Sequence, residues 1–277
     1  MNRNENPSAA SPAPLVFLKL GGSLITDKAR PHTPRLDVLT RLAGEIHMSW
    51  QPERFALLLG HGSGSFGHIP AQKYGTRQGV STAEEWLGFT EVWREASSLN
   101  RIVMDCLQQA GMPALAFPPS AMITARDGQV QTWNLVPVIS ALQKGLLPVI
   151  YGDVVFDEVR GGTILSTEDL FGYLARRLHP KKLLLASMEP GVWADFPTCS
   201  RIIPEITPAN VGEIAASLGG ATAADVTGGM RGKVYEMLNL LKEVPALEIS
   251  IFSGLMPGSV ASALQGRASG TRLSAGD

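Results

Sequence analysis

Short apolar runs alternate with amphipathic segments along most of the chain. Each run is bounded by glycine, proline or polar residues, as buried strands are, and the segments between them repeat apolar residues at helical spacing. The predicted strands are 15–20, 55–60, 113–117, 146–153, 182–187, 247–252 and 270–273. The predicted helices are 35–49, a long one opening at Ser81, 134–144, 167–178, 229–244 and one near 258–265. This alternation predicts an α/β fold with a mainly parallel central sheet sandwiched between helices.

Local signals refine two of these elements and leave one segment open. Ser81 and Glu84 have the spacing of a capping box and predict the start of the long helix. Residues 154–166 predict a β-hairpin that turns at Gly161-Gly162. Residues 124–133 are predicted only as a polar segment.

The chain of 277 residues is long enough for one large domain or two lobes. Residues 1–14 are polar and proline-rich, without the apolar stretch of a signal peptide, and are predicted to be a disordered tail. A boundary near His179-Pro180 then predicts an N-terminal lobe at 15–179 and a C-terminal lobe at 180–277.

Composition narrows the possible classes of protein. A hydrophobic content of 44% and a charged content of 18% are typical of a soluble globular protein. The net charge of −1 gives no support for a nucleic-acid partner. No apolar run approaches the roughly 18 residues that a membrane span needs, so no membrane partner is predicted. Cys106 and Cys199 lack the spacing of a metal or disulfide motif, which favours a cytoplasmic protein with free thiols and no metal site.

A first glycine pair follows the first predicted strand in the segment KLGGSLITDK. Lys19 ends the strand, Gly21 and Gly22 follow it, and Lys28 lies nine positions after Lys19. A lysine at a strand end beside glycine N–H groups can bind a phosphate chain. The alternative is an ordinary turn flanked by solvated lysines.

A second glycine loop, HGSGSFGH, follows the strand at 55–60. Its glycines have the spacing of a dinucleotide fingerprint, but that motif also requires an acid at the end of another strand about 20 residues later. Glu84 and Glu85 lie near that distance in the first turn of a predicted helix, which argues against a dinucleotide. His68 then remains either a cation for a phosphate monoester or a histidine packed in the core.

Two later segments add candidate residues. DVTGGMRGKV departs from a Walker A motif, because Val234 follows Lys233 and Thr227 stands where the first glycine belongs. It predicts a glycine pair at a helix start with Lys233 about one turn inside, facing an anion or solvent. Asp169, in the first turn of the helix at 167–178, either favours the helix dipole or orients two lysines.

Taken in order, these motifs resemble the amino acid kinase superfamily. KLGGSLITDK, HGSGSFGH and DVTGGMRGKV, supported by PVIYGDVV and GTRL, resemble in particular the isopentenyl phosphate kinases. The resemblance covers residues 15–273. The loop ending in His68 is its most discriminating part, since most superfamily members act on carboxylates or nucleotides and have no histidine there.

The resemblance implies an enzyme of isoprenoid biosynthesis. It would transfer a phosphoryl group from ATP, with Mg²⁺ carried on the nucleotide, to isopentenyl phosphate by direct in-line transfer without a covalent intermediate. Dimethylallyl phosphate is a candidate second acceptor, and a cytoplasmic homodimer is implied. Two alternatives stay open: a related phosphate or phosphonate kinase of the fosfomycin kinase type, and a nucleotide-binding sensor without activity.

The resemblance also assigns residue roles on the ATP side. The implied ATP-binding residues are Lys19, Gly21, Gly22, Ser23, Gly64, Asp169, Gly229 and Lys233. The implied catalytic residues are Lys19, Lys28, His68, Asp169 and Lys233. Lys28 would neutralise the phosphoryl group in transfer, and Asp169 would orient Lys19 and Lys233. No catalytic base is predicted, because the acceptor phosphate is already a competent nucleophile.

On the acceptor side, the resemblance implies that Ser63 and His68 hold the phosphate and that Gly152 lines the pocket. Trp86, Phe89 and Trp93 fall on one helical stripe. They are predicted to line an apolar slot for the isoprenoid chain, the alternative being that they belong to the core.

One segment departs from the family pattern. Residues 187–191 read SMEPG where family members often carry an aspartate-rich loop, and Glu189 would replace one of its acids.

Overall fold

The computed structural model describes residues 13–215 and 229–276. The strands are β1 (Leu15–Leu20), β2 (Ala56–His61), β3 (Ala114–Ala116), β4 (Ile123–Arg126), β5 (Gln129–Trp133), β6 (Leu147–Tyr151), β7 (Asp153–Asp157), β8 (Gly161–Leu165), β9 (Lys182–Ser187), β10 (Glu205–Ile206), β11 (Glu248–Ser253) and β12 (Thr271–Leu273). The helices are α1 (Gly22–Ile25), α2 (Leu36–Ser49), α3 (Gly64–Tyr74), α4 (Ala83–Gln109), α5 (Pro119–Met122), α6 (Val136–Gln143), α7 (Thr167–Leu178), α8 (Val211–Ile214), α9 (Gly229–Glu243) and α10 (Ser259–Leu264). Every predicted strand and helix is found.

The main sheet has eight strands in the order β10-β12-β11-β9-β1-β2-β6-β3. Its central pairs, β11 with β9, β9 with β1, β1 with β2 and β2 with β6, are all parallel, and β12 is antiparallel to β11. The predicted mainly parallel α/β fold is therefore confirmed. The carboxyl ends of the parallel strands meet at one edge, where α/β proteins bind their ligands.

Both faces of this sheet are buried by helices. Successive residues of β1 enter opposite cores: Phe17 packs in a cluster with residues of α7 and α9, whereas Leu18 packs in a cluster with residues of α2 and α4. This alternation follows from the two-residue period of a strand. Because both faces are covered, the central strands are uniformly apolar, which is the pattern that identified them in the sequence.

Strand β9 lies after the predicted lobe boundary and pairs with β1, so one sheet runs through both predicted lobes. The division into a tail and two lobes stays a prediction. None of the helices in residues 13–215 and 229–276 has the length and apolarity to cross a membrane.

A smaller sheet, β5-β4-β7-β8, corrects two predictions. The hairpin of β7 and β8 turns just before Gly161, and Gly161 and Gly162 begin β8. The side chain of Asp157 accepts a hydrogen bond from the Arg160 N–H at 2.9 Å, which closes the turn early. Gly162 serves close packing instead, since a Cβ there would lie 2.8 Å from the Phe89 ring. The polar segment also forms strands, the hairpin of β4 and β5.

The start of the long helix α4 lies one residue later than predicted. Thr82 is the N-cap, and its hydroxyl accepts the Glu85 N–H at 3.3 Å while Glu85 accepts the Thr82 N–H at 2.9 Å. The predicted pair, Ser81 and Glu84, also combines a hydroxyl residue with a glutamate at the same spacing. The sequence contains both possible capping boxes, and the structure uses the second.

Asp153, at the start of β7, is a buried carboxyl group with a destabilising charge. Its Oδ1 accepts the Val154 N–H at 2.8 Å, but burial raises its pKa from 3.8 to about 6. The folded state therefore binds a proton that the unfolded chain releases, and the stability of the protein falls as the pH rises from about 4 to about 6.

We expect Asp153→Asn to raise the free energy of unfolding at pH 8 by up to about 3 kcal/mol, because each pKa unit is worth about 1.4 kcal/mol. The gain should disappear near pH 4, where the carboxyl group is neutral in both states. Guanidinium denaturation at both pH values measures it, with the exposed Asp37→Asn as control. An equal gain at both pH values would contradict burial of the charge as the cause.

Candidate active site

A cavity of about 430 Å³ lies where β1, β2 and β9 end. It brings together residues that are far apart in the sequence. The predicted site residues that line it are Lys19, Gly21, Gly22, Ser23, Lys28, Ser63, His68, Gly152 and Lys233. The position of this cavity at the carboxyl edge of the sheet is the one expected for an α/β ligand site.

The two glycine loops meet backbone to backbone at this cavity. A Cβ on Gly22 would lie 2.5 Å from the Gly64 nitrogen, and Gly64 has a φ of +50° that favours glycine. Thr26 joins the loops, because its hydroxyl donates to the Gly22 carbonyl at 2.8 Å and accepts the Ser65 N–H at 2.9 Å. Gly64 is not among the residues that line the cavity, but it packs against Gly22, which is. Gly64 is the first residue of α3, a helix that the glycine-rich sequence does not predict.

We expect Gly22→Ala to weaken binding of ATP, the donor that the family resemblance implies, by about tenfold or more, because overpacking the backbone contact with Gly64 costs roughly 1–3 kcal/mol. Titration calorimetry with ATP measures the change. Gly44→Ala is the matched control, since nothing lies within 4 Å of a Cβ at that position of α2. An unchanged ATP affinity in Gly22→Ala would show that the close contact of the loops is not needed for the nucleotide.

Lys19 pairs with Glu168, and this corrects the predicted contact with Asp169. Lys19 is only 6% exposed, and its Nζ lies 2.8 Å from Glu168 Oε1. Asp169 instead caps α7, accepting the Ser166 N–H at 2.7 Å, and its Oδ2 lies 3.1 Å from Arg77 Nη2. Neighbouring helix positions differ by roughly 100° in direction, so only one of two adjacent acids can face the cavity.

The acids around α7 differ in their ionisation. Burial opposes the charge on Glu168, but Lys19 and Lys233 outweigh it and hold the pKa of Glu168 below its ordinary value. Glu236 on α9 behaves in the opposite way, because burial and then the charges of Glu168 and Asp169 raise its pKa to about 7. Glu168 is therefore a stable anion between two lysines, a suitable arrangement for orienting both of them.

The two histidines that bracket the second glycine loop have different surroundings. His61 is fully buried, with Nε2 3.2 Å from Asn100 Oδ1 and its ring stacked on Tyr151. Burial lowers the pKa of His61, which keeps the imidazole neutral. His68 is half-buried and lines the cavity. His68 is thus the histidine placed to contact a ligand.

One end of the cavity is apolar. Val92 and Ala96 line it from α4, Ala71 lines it from α3 and Ile164 lines it from β8. Val92 and Ala96 are one helical turn apart, so they present one face to the cavity. A short hydrocarbon chain fits the chemistry of this end.

The predicted aromatic stripe does not form that end. Trp93 is 47% exposed, on another face of α4. Trp86 and Phe89 pack against Phe156 of the β7–β8 hairpin, with ring centroids 5.9 Å and 5.4 Å away. The prediction that these three aromatics line the slot is therefore corrected, and Trp86 and Phe89 belong to the packing behind it.

Two other sequence predictions concern Gly229 and Glu189. Gly229 opens α9 with a φ of +65°, while residues 225–228 of its motif lie outside the described residues. Glu189 accepts a hydrogen bond from Trp193 Nε1 at 2.7 Å, so its carboxylate is engaged within its own loop. Within the described part of the chain, no group of three or more His, Cys, Asp or Glu residues could hold a metal ion.

Sequence reasoning missed Glu168, Arg77, Val92 and Ala96 as residues lining the cavity. Glu168 had a signal, since TEDL carries two acids at a helix start. The others are ordinary helix and loop residues whose direction depends on tertiary packing.

Comparisons with known proteins agree with this geometry. A model of the amino acid kinase family matches residues 14–253. The isopentenyl phosphate kinase of Methanocaldococcus jannaschii is 32% identical over 269 residues, which cover 94% of this chain and 98% of that protein. The isopentenyl phosphate kinase of Methanothermobacter thermautotrophicus is 34% identical over 271 residues, with 94% and 98% covered.

Solved structures give the same result. An X-ray structure of isopentenyl phosphate kinase matches with a TM-score of 0.80 at 30% identity, covering 94% of this chain and 100% of that one. A product complex of the Thermoplasma acidophilum isopentenyl phosphate kinase, at 22% identity and a TM-score of 0.74, supports the fold. The chain therefore belongs to the amino acid kinase family and, within it, to the isopentenyl phosphate kinases.

Proposed function

We propose that this protein transfers the γ-phosphoryl group of ATP to isopentenyl phosphate and forms isopentenyl diphosphate and ADP. The observation that carries the proposal is a single cavity with cationic, glycine-lined walls at one end and Val92, Ala96 and Ile164 at the other. An acceptor with a phosphate head and a short hydrocarbon chain has the matching chemistry. The relatives named isopentenyl phosphate kinase support this acceptor.

On the donor side, Lys19 and the backbone N–H groups of Gly21, Gly22 and Ser23 would hold the β- and γ-phosphates. Lys233 would approach the same phosphates from α9. Glu168 pairs with Lys19, and the charges of Lys19 and Lys233 hold its pKa below the ordinary value. Glu168 would therefore take the orienting role first assigned to Asp169.

The transfer itself needs charge neutralisation more than proton chemistry. Phosphoryl transfer has a loose transition state with charge on the equatorial oxygens, so positioned cations supply most of the catalysis. Lys28 would supply this charge in the protein. Glu168 is the acidic residue among those that line the described cavity, and it is already paired with Lys19. Mg²⁺ would therefore be carried by the phosphate oxygens of ATP and would neutralise them further.

On the acceptor side, His68 and Ser63 would bind the phosphate of isopentenyl phosphate beside the start of α3. The N-terminus of this 11-residue helix favours an anion at the same place. The hydrocarbon chain would lie against Val92 and Ala96. The homodimer and the cytoplasmic location implied by the family stay predictions.

The direct test is an acceptor panel with ATP and Mg²⁺. Isopentenyl phosphate, dimethylallyl phosphate and fosfomycin are assayed side by side, with ADP release and ³¹P NMR of the product as readouts. We expect a diphosphate product from isopentenyl phosphate with the highest kcat/KM. A preference for fosfomycin would favour a phosphonate kinase, and ATP binding without turnover on any acceptor would favour a sensor.

A further inference from the structure

Lys28 lies on a closed loop between α1 and α2, which we name the Lys28 loop (residues 26–34). Its ends are joined, because Thr26 pairs with Pro34 in an antiparallel bridge and the Asp27 N–H donates to the Thr33 carbonyl at 2.8 Å. Asp27 also accepts the Ala29 N–H at 3.0 Å, which fixes the turn that carries Lys28. The loop is therefore a compact unit that can be placed as a whole.

The far end of the Lys28 loop is attached to α3. The His32 N–H donates to the Ser65 carbonyl at 3.4 Å, and the Thr33 N–H donates to Ser65 Oγ at 3.3 Å. The His32 ring also meets the Phe66 ring edge to face, with centroids 5.5 Å apart. Ser65 and Phe66 lie in the first turn of α3, the helix that carries His68.

A hydrogen bond attaches the same point to α4. His32 Nδ1 lies 2.7 Å from Glu95 Oε2, and the Glu95 side chain is only 8% exposed. Because a carboxylate oxygen accepts, Nδ1 is the donor. Glu95 precedes Ala96 and follows Val92 by three positions on α4, and both Val92 and Ala96 line the apolar end of the cavity. Its second oxygen accepts from Arg94 at 3.0 Å.

The backbone at His32 is consistent with a functional constraint. His32 has a φ of +51°, in the left-handed region that is uncommon for residues other than glycine. Such a conformation persists where the surroundings fix it, and it is frequent at functional sites. Here the fixing contacts are those with Ser65 and Glu95.

We propose that His32 and Glu95 are positioning residues that hold Lys28 in register with the acceptor. They would act by attaching the Lys28 loop to α3 and α4, the two helices that form the acceptor end of the cavity. The inference rests on the proposed transition-state role of Lys28. It is physically motivated because Lys28 is an exposed, flexible side chain, and a displacement of about 1 Å at a catalytic group can cost up to roughly 100-fold in rate.

The test is a set of double-mutant cycles with Lys28. We expect His32→Ala and Glu95→Ala, which each remove one partner of the contact, to lower kcat on the order of tenfold, with KM for ATP unchanged. In a Lys28→Ala background, the same substitutions should change kcat by less than about twofold, because the group they position is gone. His32→Gly should reproduce the loss of His32→Ala, since it relaxes the backbone but still removes the imidazole.

The control is His179→Ala. His179 is exposed and also has a left-handed φ, +46°, but it lies at the end of α7 away from the cavity, so its loss should leave kcat unchanged. Single-turnover assays followed by ³¹P NMR make the low activity of the Lys28→Ala background measurable.

Three results would overturn the inference in distinguishable ways. Equal factors of loss in the wild-type and Lys28→Ala backgrounds would mean that His32 and Glu95 do not act through Lys28. Full kcat in Lys28→Ala alone would remove the catalytic role of Lys28 itself, and the positioning role would fall with it. Loss of thermal stability with unchanged kcat would assign the contact to folding alone.

Discussion

Replacing Lys28 by alanine is expected to lower kcat by about 100- to 1,000-fold while KM for ATP stays within about threefold of the wild-type value. The side chain lines the cavity from an exposed loop, separate from the buried Lys19 that pairs with Glu168. Under the proposed function it would meet charge that develops during transfer, and a contact made mainly in the transition state affects kcat rather than ground-state binding. Steady-state kinetics with isopentenyl phosphate in excess measures both constants.

Lys144→Ala is the matched control, because Lys144 is an exposed lysine at the end of α6 and does not line the cavity. Lys28→Arg, which keeps the charge with a different geometry, should recover part of the lost rate. A raised KM for ATP with an unchanged kcat would instead assign Lys28 to nucleotide binding.

Replacing His68 by alanine is expected to lower kcat/KM for isopentenyl phosphate on the order of 100-fold, since a hydrogen bond to a charged group is worth about 1.5–3 kcal/mol. The effect should appear mainly as a raised KM for the acceptor. The Kd of ATP, measured by titration calorimetry without acceptor, should not change, because the glycine loops and Lys19 would hold the nucleotide.

His68→Gln tests how much of this depends on charge, as the amide keeps a donor without a positive charge. His47→Ala on the outer surface of α2 is the control, since its imidazole is exposed and lies outside the cavity lining. Equal loss of ATP and acceptor affinity would contradict an acceptor role for His68 and indicate a general distortion of the loop.

The fold was predictable because its strongest determinant is local. The central strands are buried on both faces, so their apolar runs are continuous and cannot be confused with half-exposed strands. The same reasoning missed α3, because glycines and Pro70 argue against a helix. There, the burial of Phe66 and the packing of Gly64 against Gly22 outweigh local propensity. It also missed β4 and β5, whose polar residues face solvent along a peripheral hairpin.

The sequence motifs predicted many of the residues that line the candidate site, but they did not predict which side chains of a helix face the cavity. Lys19, the glycines and His68 were found because their spacing along strand ends fixes where they lie. Which of Glu168 and Asp169 pairs with Lys19 depended on the residue that caps α7. Ser166 is the N-cap and engages Asp169, and the spacing of the acids alone does not predict this contact. The choice between Trp93 and Val92 depended on how α4 is rotated about its axis, which is set by the Phe156 contacts of Trp86 and Phe89.

Because of the contact between Gly22 and Gly64, the alignment of the phosphates and the choice of hydrocarbon chain would depend on different parts of the protein, which could be engineered independently. Main-chain atoms, which substitutions elsewhere hardly move, hold the two phosphate-facing segments together. Under the proposed function, selection among hydrocarbon chains would instead depend on the α4 side chains that line the cavity. Remodelling the tail end should therefore yield kinases for longer or branched lipids without disturbing the alignment of the reacting groups.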